Sequence, residues 1–489
     1  MAEYADFRPP KLGIGFIFSA GLRPFLQHNS SVLDVLEIEP QTLWLADDPF
    51  QGPFHEFTAG IDLIAELPGH KLVHSVGVPL GGTRPPCPAQ SELLRATAAR
   101  LDSPWISEHL SVAGTPHQAA GFLLPPLQTE KGVATAVRNI RRFAEMTDRP
   151  VAIETGVAYL ARKPFEMSDG SFVARVVEEA DCGILLDLHN LYCNELNGRN
   201  SIDSFLSEIP LERVWEVHLA GGVEMDGYWL DSHNGTMPKE LFARAVEIIK
   251  KLPNLGALNF EIFDTFLNNI DFDIFDAITE ELRFIWNLAG SESTVAVEIQ
   301  SPVSESNIRD KPTSLIPSPE EWEHALTKSV WKCEHGKTIW SQDIEPLSLY
   351  TRLAQSFRGS MLAQALPRTM RYLLIREQGK ISELMQRYFL SINPKLYTPL
   401  EANAFVKWLD EDETLDPLLR ALTEYDIAFL NIIREGLPQI VKFPGNPASV
   451  FEALAEARMP EQPPPPTWEI EILPDSFTID DFKSHTILS

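Results

Sequence analysis

Through its first 290 residues the chain alternates eight strand-like runs with amphipathic helical stretches, and few architectures accept that rhythm. The runs are LGIGFIF (12–18), VLEIEP (35–40), KLVHSVG (71–77), WISEHLSV (105–112), VAIETG (151–156), GILLDLHN (183–190), VWEVHLAGG (214–222) and ALNFEIF (257–263). Between them, stretches such as 91–101, 132–146 and 238–252 carry apolar residues at three- and four-residue spacing, the period of a helix with one buried face. Eight such repeats predict an α/β chain closing into a (β/α)8 TIM barrel rather than an open doubly wound sheet. No glycine-rich GxGxxG opens a helix, so a dinucleotide-binding fold has no support.

A barrel uses roughly 250 residues, so a chain of 489 has room for a second unit. Composition suggests the divisions: a barrel over 1–290, a Ser- and Pro-rich linker over 291–345, a smaller, mostly α-helical domain over 346–460, and a proline-rich tail over 461–489. The tail opens on a polyproline spacer. A net charge of −28 speaks against a nucleic-acid surface, which needs a basic footprint. No apolar stretch approaches the 18 or so residues of a membrane span, and the N-terminus lacks the basic and apolar regions of a signal peptide. Four cysteines without a CxxC pair suit a reducing compartment, the cytoplasm, better than a disulfide framework.

In a (β/α)8 barrel, chemistry gathers at the carboxyl ends of the strands. The third strand ends with His74, the fourth with His109, the fifth with Glu154, and the sixth with Asp187 and Asn190. The seventh carries His218, the loop after it Asp231 and His233, and the eighth Glu261. A lone strand histidine is more often a satisfied core residue, and DSH alone reads as a loop tip with Asp capping a turn. The joint pattern is harder to place that way, because acids buried without cations are costly. A cluster of multivalent cations removes that cost, with carboxylates and neutral imidazoles as ligands. Nine candidates exceed the needs of one ion, so two or three are expected. His189, between Asp187 and Asn190, points aside or toward substrate. Mixed His and carboxylate ligands suit Fe, Mn or Zn, which leaves oxygen chemistry and hydrolysis both open.

The motifs HSVGVPLGG, ISEHLSV, AIETGVAYL, GILLDLHNLY, EVHLAGG, DSHNG and NFEIF resemble, in order and spacing, those of the DUF692 (UPF0276) family. The resemblance spans roughly residues 11–288. It implies a TIM barrel holding two or three mixed-valent Fe(II)/Fe(III) ions, with O2 as co-substrate, that oxidises a residue, often cysteine, of a ribosomally made precursor peptide. It also implies metal-ligating roles for His74, His109, Glu154, Asp187, Asn190, His218, Asp231, His233 and Glu261. His189 and Asp264 are candidates for direct catalytic roles. The chain departs from the family pattern at Thr155, His189 and Phe263, and His28 stands near but not at the position of an early family histidine. TEYDIAFLNIIREG and VKFPGNPASVFEALAEARMP, in the C-terminal region, resemble the partner proteins that present peptides to such enzymes. That implies a fusion needing no separate partner, with the C-terminal module packed on the catalytic face. The alternative is a divalent-metal hydrolase or isomerase resembling endonuclease IV or xylose isomerase.

Overall fold

The computed structural model describes residues 7–29, 32–46, 48, 50–267, 270–291, 316–332, 343–411, 416–461 and 467–474. Eight parallel strands close into a barrel: β1 (Gly13–Ile17), β2 (Val35–Ile38), β3 (His70–Ser75), β4 (Ile106–His109), β5 (Val151–Glu154), β6 (Gly183–Asp187), β7 (Val214–Ala220) and β8 (Ala257–Glu261). Each pairs with its neighbour in sequence, and β1 pairs with β8 to complete the ring. Seven fall within the runs read from sequence and β3 begins one residue before its run, because continuous apolar runs are what strands buried on both faces require.

The barrel interior is layered, as the two-residue side-chain period dictates. At the amino ends of the strands, Val35, Leu72, Trp105, Ala152, Leu185, Trp215 and Ala257 form an apolar plug, with Phe7 and Leu12 packed against it. Above the plug lies a polar floor of Glu37, Glu216 and Asn259, none with any solvent exposure. Asn259 Nδ2 donates to Glu37 Oε2 at 2.9 Å and to Glu216 Oε1 at 2.8 Å, and Trp105 Nε1 donates to Glu216 Oε2 at 3.0 Å. Gly15 makes room for this layer, since a Cβ there would stand 2.6 Å from the Val35 carbonyl oxygen and closer still to Asn259 Oδ1.

The chain separates into two compact units, one of residues 1–40, 65–116 and 123–326, the other of 41–64, 117–122 and 327–489. The segment expected to be a linker, 291–345, contains a helix at Pro319–Lys332. Ser318 and Glu321 start it with a reciprocal capping box: Glu321 N donates to Ser318 Oγ, and Ser318 N to Glu321 Oε2. Within the first unit Trp322 is buried and donates to the Pro125 carbonyl at 3.0 Å. Of the Ser- and Pro-rich stretch, Ser318 and Pro319 stand at the start of this helix, and residues 292–315 and 333–342 lie outside the described residues.

The second unit is mostly helical, with helices at Ile344–Ala365, Pro367–Glu377, Ile381–Ser391, Thr398–Glu411, Pro417–Glu435 and Pro447–Ala455. Leu362, Tyr388, Phe405, Leu422 and Phe443 are among its core residues. It also buries an ion pair: Arg358 Nε donates to Glu401 Oε1 at 2.7 Å, as does the Tyr388 hydroxyl at 2.8 Å. The tail is not all spacer, because Trp468–Ile472 pairs antiparallel with Gln439–Phe443. The polyproline stretch at 462–466 lies outside the described residues.

Candidate metal centre

The β6 end shows how local structure aims a ligand. Asp187 caps the helix Leu188–Leu196, its Oδ1 accepting from Asn190 N at 2.8 Å. That bond fixes the carboxylate and directs the buried Oδ2 away from it, with no hydrogen-bond partner among the described residues. Asn190 turns its amide to Glu154, donating from Nδ2 to Oε1 at 3.2 Å.

Three groups of ligand-type atoms follow from these placements. His74 Nε2 and His109 Nε2 lie 3.4 and 3.5 Å from Glu154 Oε2. Glu154, Asp187 and His218 form a second group whose ligand atoms lie within 4.8 Å of one another. Glu154 is thus common to both. In the third, His233 Nε2 stands 2.8 Å from Asp231 Oδ1 and 3.0 Å from Glu261 Oε2, while His218 Nδ1 lies 2.9 Å from Glu261 Oε1. His233 reaches its place through a left-handed backbone, φ 46°, a conformation uncommon outside glycine and worth explaining at a site.

Neighbouring side chains hold these groups. The Ser107 hydroxyl bonds His74 Nδ1 at 2.9 Å, leaving Nε2 toward Glu154. Glu108 ties the ends of β3 and β4 together, accepting from Ser75 Oγ at 2.5 Å, Val78 N at 2.8 Å and His109 N at 2.8 Å. His189 is fully buried with Nδ1 3.0 Å from Asp231 Oδ1, so it faces a ligand-type carboxylate rather than solvent. Asp264 opens a short helix, and its side chain lies outside the described residues. His28 stacks instead on Phe272, ring centroids 4.4 Å apart. Phe263 is exposed beside His233, with centroids 4.8 Å apart.

Sequence reasoning did not single out Glu37, Glu108, Glu216 or Asn259. The signal was present. Glu216 precedes His218 by two residues and Asn259 precedes Glu261 by two, so each faces the barrel interior one layer below a candidate ligand.

Burial and neighbouring charges perturb these groups strongly. Burial raises the Glu154 carboxyl to about 8, with Asp187 and Glu261 adding to the effect against His109 and His218. Burial, Glu261 and Asp231 raise Asp187 to about 6. Burial and the neighbouring imidazoles of His109 and His218 push His74 well below its ordinary value. Burial also opposes charge on His109, but Glu154 and Glu108 prevail and push it up to about 9. The positive partners in these contacts are all imidazoles.

Despite this crowding, Glu154 Oε2, Asp187 Oδ2, Asn190 Oδ1, both His218 ring nitrogens and His233 Nε2 have no directional hydrogen bond among the described residues. Buried polar atoms are rarely left so unless something else takes their lone pairs. Oxygen and imidazole donors converging from several strands fit first-row divalent ions.

Residues 11–263 match the model of the family described as RiPP precursor modification enzyme MbnB/TglH/ChrH. The chain belongs to this family. A UPF0276 protein of Anaeromyxobacter sp. (strain Fw109-5) is 29% identical over 226 residues, 46% of this chain and 79% of that protein. One of Shewanella loihica is 30% identical over 229 residues, 46% of this chain and 77% of that protein. The matched span contains every barrel strand and all nine expected ligands. Among solved structures, a D-psicose 3-epimerase from Clostridium cellulolyticum H10 aligns at 13% identity and TM-score 0.38, covering 57% of this chain and all of that one. The family's barrel assignment rests here on the strand order itself. No helix among the described residues is long and apolar enough to cross a membrane.

Proposed function

We propose that the barrel is an iron-dependent, O2-consuming enzyme that oxidises a residue, cysteine by preference, of a ribosomally made precursor peptide in the cytoplasm. The observation that carries this reading is the convergence of nine imidazole, carboxylate and amide side chains in the matched span, with buried atoms of Glu154, Asp187, Asn190, His218 and His233 left without a hydrogen-bond partner among the described residues. His74, His109 and Glu154 would hold one ion, and Glu154, Asp187, Asn190 and His218 a second. Asp231, His233 and Glu261 would hold a third. Iron so held would bind O2 and relay to it the electrons removed from the peptide, chemistry these side chains lack. The protein's own part is to fix ligand geometry and keep bulk water away. Ser107 and Glu108 orient the histidines on β3 and β4, and His189 positions Asp231. Phe263 offers an apolar face where a peptide side chain would enter, and Asp264 follows it as a candidate proton carrier. The helical second unit would present the peptide, holding a leader segment and so raising the local concentration of the reacting residue.

The test is anaerobic reconstitution with Fe(II), followed by precursor peptide and O2. Expected are two to three irons per chain and peptide oxidation with stoichiometric O2 uptake, both lost in His109→Ala and Asp187→Ala. Peptide or sugar turnover without O2 by a zinc-loaded protein would overturn the oxidase reading in favour of a hydrolase or isomerase.

A further inference from the structure

Two carboxylates and an amide sealed beneath the ligand layer are an expensive way to fill a barrel. Glu37, Glu216 and Asn259 have no solvent exposure, and hydrophobic residues of similar volume would close the same space. Their contacts show what they serve. Both Glu216 oxygens are occupied, one by Trp105 and one by Asn259. Asn259 also holds Glu37 Oε2, and that same oxygen lies 2.8 Å from His218 Nε2. Glu216 stands farther from that nitrogen, at 3.6 Å. The other ring nitrogen, Nδ1, faces Glu261 on the opposite side. The His218 ring therefore spans the two layers, one nitrogen toward the floor and one toward the candidate ligands.

A neutral imidazole carries one proton and one lone pair, and whatever accepts at one nitrogen decides which is offered at the other. We propose that Glu37 is the positioning residue of His218: once a cation takes the Nδ1 lone pair, Glu37 Oε2, 2.8 Å from Nε2, accepts the Nε2 proton in the hydrogen bond that this nitrogen lacks in the metal-free arrangement. Glu216 and Trp105, acting through Asn259, keep the Glu37 carboxylate in place. This arrangement reproduces the carboxylate–histidine–metal relay by which outer carboxylates tune a metal-bound ring. A cation in the floor itself is the weaker assignment, because the Asn259 amide group already donates to both carboxylates there. The inference rests on the metal-centre reading, but not on the metal being iron or on the reaction being an oxidation.

The experiment uses full-length protein loaded with Co(II), whose paramagnetism shifts the protons of bound imidazoles. Wild type should show an exchangeable ring N–H resonance that is lost in His218→Ala and persists in D2O, as befits a fully buried group. Glu37→Gln should fold and keep the same number of ions. It should bind Co(II) about 10- to 100-fold more weakly, the usual effect of losing an outer-shell partner, and its ring N–H should exchange faster. Glu216→Gln, equally buried and in the same network, should change both measurements much less. Equal losses in the two variants would mean a general weakening of the floor and overturn the assignment. Loss of one whole ion in Glu37→Gln, with the rest bound as in wild type, would make Glu37 a ligand and overturn it too. Unchanged affinity and exchange in Glu37→Gln would refute this inference alone. A wild-type protein that takes up no Co(II) would remove the metal-centre reading and this inference with it.

Discussion

If His74, His109 and Glu154 hold a cation as proposed, protons compete with it there, and the strength of that competition follows from the environment of each group. At pH 7 Glu154, held up to about 8, and His109, pushed up to about 9, each keep a proton. His74 keeps none, because burial holds it well below its ordinary value. An ion entering this pocket must therefore displace two protons. Apparent affinity should rise about 100-fold per pH unit below about pH 8, about tenfold per unit from there to about 9, and then level. Between pH 6.5 and 7.5 that amounts to roughly 2.7 kcal/mol, from 1.36 kcal/mol per proton per unit. Chelator competition with Co(II) at several pH values measures the slope. Calorimetry in buffers of different ionisation heat counts the protons released, with about two expected per ion. Glu154→Gln should cut the count to about one. The sign for the metal-free protein runs the other way. Since the folded-state value of Glu154 lies above its ordinary 4.5, its contribution to stability is full below that value and is lost as pH rises through about 8. The metal-free protein should thus melt progressively lower from pH 5 to 8, and the loaded protein should not. An affinity flat in pH, or protons taken up rather than released, would refute this account of the pocket.

Glu108→Gln turns an amide N–H toward one of the backbone groups that now donate to the carboxylate, and should weaken metal binding about 10- to 100-fold without unfolding, read by the same competition assay. Gly15→Ala forces a methyl against the Val35 carbonyl and Asn259, and should destabilise the barrel by about 1–3 kcal/mol in denaturant melts. In the second unit, Glu401→Leu strands the buried Arg358 guanidinium and should cost about 3–5 kcal/mol in the same melts, whereas a change within a few tenths would show that the pair is not desolvated. Burial raises Asp426 to about 6 against Arg368 and Thr369. Its stabilising contribution is therefore present below about 3.8 and lost through about 6, so Asp426→Asn should flatten the fall in melting temperature between pH 4 and 6.

The barrel was legible because eight apolar runs and their intervening helices repeat a physical requirement: a strand covered on both faces must be apolar throughout. The meeting of imidazoles and carboxylates at the strand ends was legible because polar residues ending such runs stand out. What lay one step inward was not. Glu37 and Glu216 sit mid-run, where attention to strand ends passes over them, and Asn259 reads as an ordinary break in an apolar stretch. Only the closed ring shows that strands 2, 7 and 8 bring these three within hydrogen-bonding distance. The helix Pro319–Lys332 was obscured for another reason. Its surroundings are rich in Ser and Pro, although Ser318 and Glu321 have the spacing of a capping box. His189, expected to point aside or toward substrate, meets Asp231 of the following loop, a contact that no local pattern encodes.

The plug of Trp105, Trp215 and Phe7 beneath the polar floor makes the barrel a blind well. Among the described residues of the cluster, the exposed part is its rim, where the side chains of His109, Asp231 and His233 retain 15, 25 and 17% of their exposure. Whatever enters and whatever leaves must share that doorway, so occupancy becomes a matter of queueing. A bulky guest seated in the doorway traps everything behind it, and a small co-reactant has to be inside first or slip past the guest's edge. Steady-state kinetics would then show an ordered sequence, with the large reactant a dead-end inhibitor of the small one's arrival when supplied in excess.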